Sequence, residues 1–216
     1  TGPTWANQGQ FYGEFDGESS EVALNKVLVN KTLNVTFSVW VKLNTLSQLD
    51  FPHIMGENGA VFIFYGTSRF KFRVDNSTSN GQSNGLAGIV ADRWYSIIGT
   101  YNGTDACFYQ DSVFSDCEPL INGIDTGNNF FIGYDESADG FFNGTIDEIL
   151  YYNRSLSQAE VTALYNNYTE TSTGINRIGT PSTTGLVLDI NFDDFSVGDG
   201  TNTNVSFGEV FSVKNT

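Results

Sequence analysis

The amino-acid sequence predicts an all-β protein, a sandwich or barrel of short strands. Three observations carry this expectation: apolar residues alternate with polar ones at a period of two in segment after segment, turn-rich pieces separate those segments, and one stretch alone carries a strong helix-start signature. At 216 residues the chain is long enough to bury one good core, and β-sandwiches of this length commonly form a single domain. Hydrophobic residues make up 39% and aromatic residues 14%, which excludes an intrinsically disordered chain despite the abundance of Gly, Asn, Ser and Thr.

In residues 36–43, Phe37, Val39, Val41 and Leu43 share one face while Thr36, Ser38 and Lys42 share the other, with Trp40 among them. That is the pattern of a half-buried strand. Further strands are expected over residues 60–65, 70–74, 94–101, 130–133 and 144–152, with turn-rich pieces at 76–85 and 122–129 between them. Cys107 and Cys117, the two cysteines of the chain, flank a turn near Asp111 and Ser112. They therefore face each other across a hairpin, where a disulfide competes with a pair of buried thiols. A short helix is expected over residues 157–166, from Ser157 to Asn166. Ser157 and Glu160 have the spacing of a capping box, Leu156 and Val161 that of a hydrophobic staple, and Val161, Leu164 and Tyr165 form an apolar stripe. Residues 169–184 carry Thr, Ser, Gly and Pro without periodicity and read as a linker. Beyond it, Leu186, Leu188, Ile190 and Phe192 alternate with polar residues as the apolar face of one more strand. So short a piece cannot build its own core and must dock on something.

Charge excludes several partners. With 10 Lys+Arg against 25 Asp+Glu the formal net charge is -15, and nucleic acid or anionic lipid would need a basic, counterion-releasing surface instead. No apolar run approaches the ~20 residues needed to cross a bilayer. Eight Asn-x-Ser/Thr triplets, at Asn30, Asn34, Asn76, Asn102, Asn143, Asn153, Asn167 and Asn204, together with the cysteine pair, predict an N-glycosylated protein of the cell exterior or surface.

Residues 11–17 (Phe-Tyr-Gly-Glu-Phe-Asp-Gly), 37–42, 94–101 and 142–157, followed by the helix ending in Leu164 and Tyr165, resemble in order and spacing the laminin-G-like, concanavalin A-like jelly-roll family. The resemblance covers about the first 168 residues and implies a two-sheet antiparallel jelly-roll sandwich, with residues 1–168 as its core. In that family a strand like residues 185–194 usually opens the domain, whereas here it comes last. Residues 185–216 therefore complete either this jelly roll or a neighbour's, as a tandem repeat, a strand donated to another copy, or a circular permutant. Donation from Leu186, Leu188, Ile190 and Phe192 to further copies of the chain would build a head-to-tail fibre or adhesive appendage. The alternative is a lectin-like module that binds carbohydrate.

Enzymatic chemistry finds little footing. Glycosidases of this fold pair two carboxylates, yet neighbouring strand residues such as Asp147 and Glu148 point to opposite faces. Asp189 and Asp193 share a face, but in the tail, where a solvated outer surface is expected. The single histidine, His53, has no evident nucleophile and reads as a loop or packed residue. Asp16 and Asp147 match acidic positions of the family's motifs, so the resemblance implies a rim calcium, set against the simpler roles of shaping a turn and capping backbone amides. For carbohydrate, Tyr134 and Phe141 are the exposed-loop aromatic candidates.

Overall fold

The computed structural model describes residues 4–5, 12–24, 27–29, 34–47, 51–57, 59–120, 122–135, 140–171 and 174–190. Its strands are β1 (Thr4–Trp5), β2 (Gly13–Asp16), β3 (Val22–Ala23), β4 (Val35–Leu43), β5 (His53–Glu57), β6 (Val61–Gly66), β7 (Arg69–Asn76), β8 (Ser79–Asn84) and β9 (Trp94–Tyr101). They continue as β10 (Asp105–Gln110), β11 (Val113–Pro119), β12 (Phe130–Ile132), β13 (Tyr134–Asp135), β14 (Gly140–Phe141) and β15 (Asn143–Tyr152). Helix α1 (Gln158–Tyr165) follows, then β16 (Tyr168–Thr171), β17 (Gly174–Arg177) and β18 (Leu186–Ile190).

Among the described residues, an eight-stranded sheet in the order β1-β2-β15-β4-β9-β10-β11, with β18 also on β15, faces a six-stranded sheet in the order β3-β12-β5-β6-β7-β8. The expected all-β jelly-roll sandwich is therefore present. Alternation fills its core: Phe37, Val39, Val41 and Leu43 of β4 meet Phe70, Phe72 and Val74 of β7 and their neighbours in one buried cluster. The sheets approach closely at Gly99, where a Cβ would collide with the Phe72 ring. The cysteines behave as the hairpin predicted: Cys107 and Cys117 are register partners in β10 and β11 and form a disulfide with Cα atoms 4.1 Å apart. Asp111 and Ser112, at φ 51° and 63°, make the turn.

Strand β4 departs from expectation, for it is buried on both faces rather than half-buried. The outer face of the eight-stranded sheet carries a second apolar cluster in which Trp40, Trp94 and Leu150 pack with Val161 and Leu164 of α1 and with Tyr168 and Ile175. Tyr165 stacks on Trp40 with centroids 5.5 Å apart. Helix α1 is held as its sequence predicts: the Ser157 hydroxyl accepts from the Glu160 N–H, the Glu160 carboxylate accepts from the Ser157 N–H, and Asn166 is the C-cap.

Two further expectations are corrected. Residues 169–184 are not a plain linker: β16 and β17 form a hairpin there, because Tyr168 and Ile175 bury in the second cluster. Residues 79–84, read as part of a turn-rich piece, are β8, an edge strand whose polar side chains hide its pairing with β7.

The late strand docks in its own chain. Antiparallel to β15, β18 pairs Ile149 with Ile190, Leu150 with Asp189 and Tyr151 with Leu188, while β2 pairs with residues 143–146 of the same strand edge. Leu188 and Ile190 are buried in the main core, and these two and Leu186 complete this sandwich. Phe192 lies outside the described residues.

Candidate functional site

The outward face of the six-stranded sheet is built by the same alternation that fills the core. In β7, Phe70, Phe72 and Val74 point inward, which leaves Arg69, Lys71 and Arg73 outward. In β6, Val61, Ile63 and Tyr65 belong to the cluster between the sheets, while Phe62 and Phe64 lie on the other face and are themselves buried there. Register sets Phe62 against Arg73 and Phe64 against Lys71, then Arg73 against Gln82 of β8. An open groove of about 460 Å3 follows, lined by Phe51, His53, Gly59, Phe62, Phe64, Thr67, Lys71, Arg73, Asp75 and Gln82.

Its floor is aromatic. The His53 ring stacks on Phe62 with centroids 4.0 Å apart, and Phe62 lies 5.5 Å from Phe64. Cations roof part of that floor: the Lys71 ammonium sits 5.7 Å from the Phe64 centroid, and the Arg73 guanidinium 5.7 Å from that of Phe62. Arg73 also donates from Nε to Asp75 Oδ1 at 2.8 Å. Burial raises the Asp75 carboxyl above its ordinary value while Arg73 opposes that rise.

Phe51 is the rim. It is 53% exposed, stands edge-on to Phe64 at 6.5 Å and sits at φ 51°, a left-handed backbone unusual for a bulky side chain. Gly66 makes room for the ring, because a Cβ there would collide with Phe51 Cδ1. A large apolar ring held half in water on a left-handed backbone, beside a groove, makes this rim a candidate contact.

The sequence-predicted residues lie elsewhere. Asp16 shapes the turn after β2: its Oδ1 accepts from the N–H groups of Glu18, Ser19 and Ser20 at 2.9 to 3.0 Å. Although burial opposes ionisation, those amides hold its carboxyl well below the usual range. Asp147 is buried and accepts from Glu148 N–H at 2.9 Å and Ile175 N–H at 3.2 Å. Asp16 pairs with Asn143, four residues before Asp147 on β15, so the two carboxylates do not converge. Among the described residues no three acidic, His or Cys side chains gather as a metal site, and the pair does not fit a shared calcium.

A bulge in β15 overturns the opposite-face reading of Asp147 and Glu148. With register shifted between Asp147 and Leu150 and Glu148 at φ 51°, both carboxylates turn to β17. Glu148 accepts from Arg177 Nε at 2.8 Å. Arg177 also grips Asp189 bidentately, at 2.7 and 2.9 Å, so Asp189 is an ion-pair partner instead of part of a solvated face. His53 is packed, as expected. Tyr134 and Phe141, expected in exposed loops, are instead half-buried in the β13–β14 ribbon, their rings tilted by 32° with centroids 4.7 Å apart, and Tyr134 meets Phe131 at 5.5 Å. Phe131 in turn sits across Gly56 from Phe62, which extends the aromatic band beyond the groove. Of the glycosylation sequons, Asn102 and Asn153 are exposed, Asn34, Asn76, Asn143 and Asn167 are half-buried, and Asn30 and Asn204 lie outside the described residues.

A family model for the concanavalin A-like lectin/glucanases superfamily matches residues 16–162. The chain belongs to this superfamily. Solved structures of similar fold include a Bacteroides ovatus protein assigned to carbohydrate binding, at 18% identity and TM-score 0.63, over 88% of this chain and 53% of that one. The chain thus spans about half the length of that relative. Domain 4 of an extracellular arabinanase from Geobacillus stearothermophilus, solved with arabinotriose, matches at 18% identity and TM-score 0.62, over 76% of this chain and 82% of that one. Domains LG4-5 of the mouse laminin alpha1 chain match at 13% identity and TM-score 0.55, over 68% of this chain and 44% of that one. No curated protein matched the sequence. At such identities the likeness establishes the shared fold of this superfamily member.

Sequence reasoning missed the groove. Its one legible trace is residues 69–74, Arg-Phe-Lys-Phe-Arg-Val, whose strict alternation sets three cations on one face. Nothing local to Phe51 or Phe62 distinguishes them from the core phenylalanines, and only the pairing of β5, β6 and β7 brings them together.

Proposed function

We propose that this superfamily member is an exported carbohydrate-binding module that seats a saccharide in the groove on the outward face of β5 to β8. The exposed, backbone-strained Phe51 over the Phe62 and Phe64 floor carries the reading. Apolar sugar faces stack on aromatic rings, and convergent polar groups such as Gln82, Thr67 and Asp75 supply hydrogen bonds. The carbohydrate context of the Bacteroides and Geobacillus proteins supports it. So does β18, which fills its own sandwich and removes the motive for a strand-donated fibre. The disulfide supports an oxidising, extracellular setting, and the described residues include no helix long and apolar enough to cross a membrane. We read binding without turnover, since Asp75 is the one carboxylate among the described groove residues and glycoside hydrolysis uses two.

Affinity electrophoresis through gels cast with a panel of neutral and acidic polysaccharides tests this. At least one polymer is expected to retard the chain, and Phe51→Ala to weaken that retardation about tenfold, the loss of roughly 1.4 kcal/mol. Retardation by no polymer, or a Phe51→Ala variant retained like the parent, would overturn the proposal.

A further inference from the structure

Which saccharides the groove takes is written in β7. We propose that its ligand is anionic, a polysaccharide bearing carboxylate or sulfate groups that rest on the cationic stripe of Arg69, Lys71 and Arg73; this rests on the carbohydrate-binding reading above.

The stripe stands out against the rest of the molecule. The chain has 10 Lys+Arg against 25 Asp+Glu, yet three of those cations occupy alternate positions of one strand, on its outward face. Their charges are committed unequally. Arg73 alone pairs with a carboxylate, that of Asp75, through Nε. Arg69 donates to the Gly85 carbonyl at 3.1 Å, and among the described residues neither it nor Lys71 has a carboxylate at ion-pair distance. Asp116 shares the polar hollow with Arg69, its Oδ2 accepting from Asn84 N–H at 3.0 Å and from the Asn84 amide at 3.2 Å, so of the three cations Lys71 is the one left for a ligand's anionic group.

Position matters as much as count. Lys71 lies over Phe64, the ring against which Phe51 stands, so a sugar stacked at that corner meets an ammonium beside it. Same-face neighbours along a strand recur about every 7 Å, so Arg73 and Lys71 in the groove and Arg69 in the polar hollow next to it form a track for an extended acidic chain. The overall charge of -15 does not forbid this. Beyond a Debye length of about 8 Å at physiological salt remote carboxylates are screened, and the local cations decide. A neutral sugar offers that ammonium only a hydroxyl oxygen, whereas a carboxylate or sulfate adds its own charge and forms the stronger bond.

Matched polymers test the idea on the full chain: polygalacturonate against its fully methyl-esterified form, and dextran sulfate against dextran, by titration calorimetry at 50 and 300 mM NaCl. At least one acidic polymer is expected to bind tenfold or more tighter than its neutral partner and to weaken with salt. Retention of polygalacturonate alone assigns a carboxylate ligand, and of dextran sulfate alone a sulfate; each supports the proposal. Lys71→Gln is expected to cost the acidic polymer about tenfold, on the scale of one charged hydrogen bond, while Lys42→Gln on the other sheet changes nothing. Equal affinity for acidic and neutral partners, with Lys71→Gln silent, overturns the anionic assignment and leaves carbohydrate binding standing. Acidic binding that Phe51→Ala leaves intact, or that Lys42→Gln lowers as much as Lys71→Gln, overturns it as diffuse charge attraction away from the groove. Binding of no polymer overturns both.

Discussion

Phe51 and Gly66 act as one device, the ring exposed because the glycine beneath it has no side chain. Gly66→Ala is therefore expected to push the ring aside, weakening saccharide retention as far as Phe51→Ala does while leaving the melting temperature within a degree or two; a binding curve and a thermal melt on the same sample check this. Glu57 has a different character. It is buried, its Oε1 accepts from the N–H groups of Leu28 and Val29, and its Oε2 has no hydrogen-bond partner among the described residues. Burial pushes its carboxyl up to about 7, against the lowering effect of those two amides. Its folded-state value therefore exceeds the unfolded one of about 4.3, so the native state holds the proton that the unfolded chain releases. Stability from this group is complete below pH about 4.3 and falls as pH rises to about 7, by on the order of 3 kcal/mol. Glu57→Gln, which mimics the protonated carboxyl, is expected to flatten that part of the curve in denaturant titrations at pH 4.5 and 7.5; parallel curves for the two proteins would refute it.

At the scale of elements, the β16–β17 hairpin hangs on Arg177. Burial alone would lower its ionisation, but Asp189, Tyr168 and Glu148 outweigh that and raise it further above its ordinary value, so it stays charged. Removing it leaves Glu148, which is fully buried, without its cation. Arg177→Ala is expected to cost about 3 to 5 kcal/mol in chemical denaturation, far more than a surface arginine such as Arg93, which pairs with Asp111 while half exposed. A cost below 1 kcal/mol would mean the hairpin is held by Tyr168 and Ile175 alone. Helix α1 was legible because a capping box is a local signal confined to Ser157 and Glu160. The hairpin was not, because its residues are linker-like in composition and gain their strand character from contacts with Trp40, more than a hundred residues earlier in the chain, and with Asp147, 28 residues before Ile175. The β15 bulge was hidden for a similar reason: Asp147 and Glu148 read as ordinary strand residues until β17 gives both a partner.

For the whole molecule, the lane beside β15 is shared end to end by β2 and β18, pieces from opposite ends of the sequence. A chain ending at residue 184 would lose Leu188 and Ile190 from the core and expose residues 149–152 as an open edge on that side. Such a chain is expected to unfold more than about 3 kcal/mol more easily and to self-associate, while the full chain sediments as a monomer at the same concentration; sedimentation velocity on both distinguishes this from a strand that serves a neighbour. What the sequence by itself determined was everything written in local periodicity: the sandwich class, the strands of alternating pattern, the capped helix and the hairpin that joins Cys107 to Cys117. Tertiary structure alone decided where the late strand docks, that β4 is covered on both faces, and that Phe51, Phe62, Phe64 and Lys71 form one groove. Periodicity tells a side chain which face of its own strand it occupies. Which other strand shares that face depends on pairing between segments far apart in the chain, and no single segment encodes it.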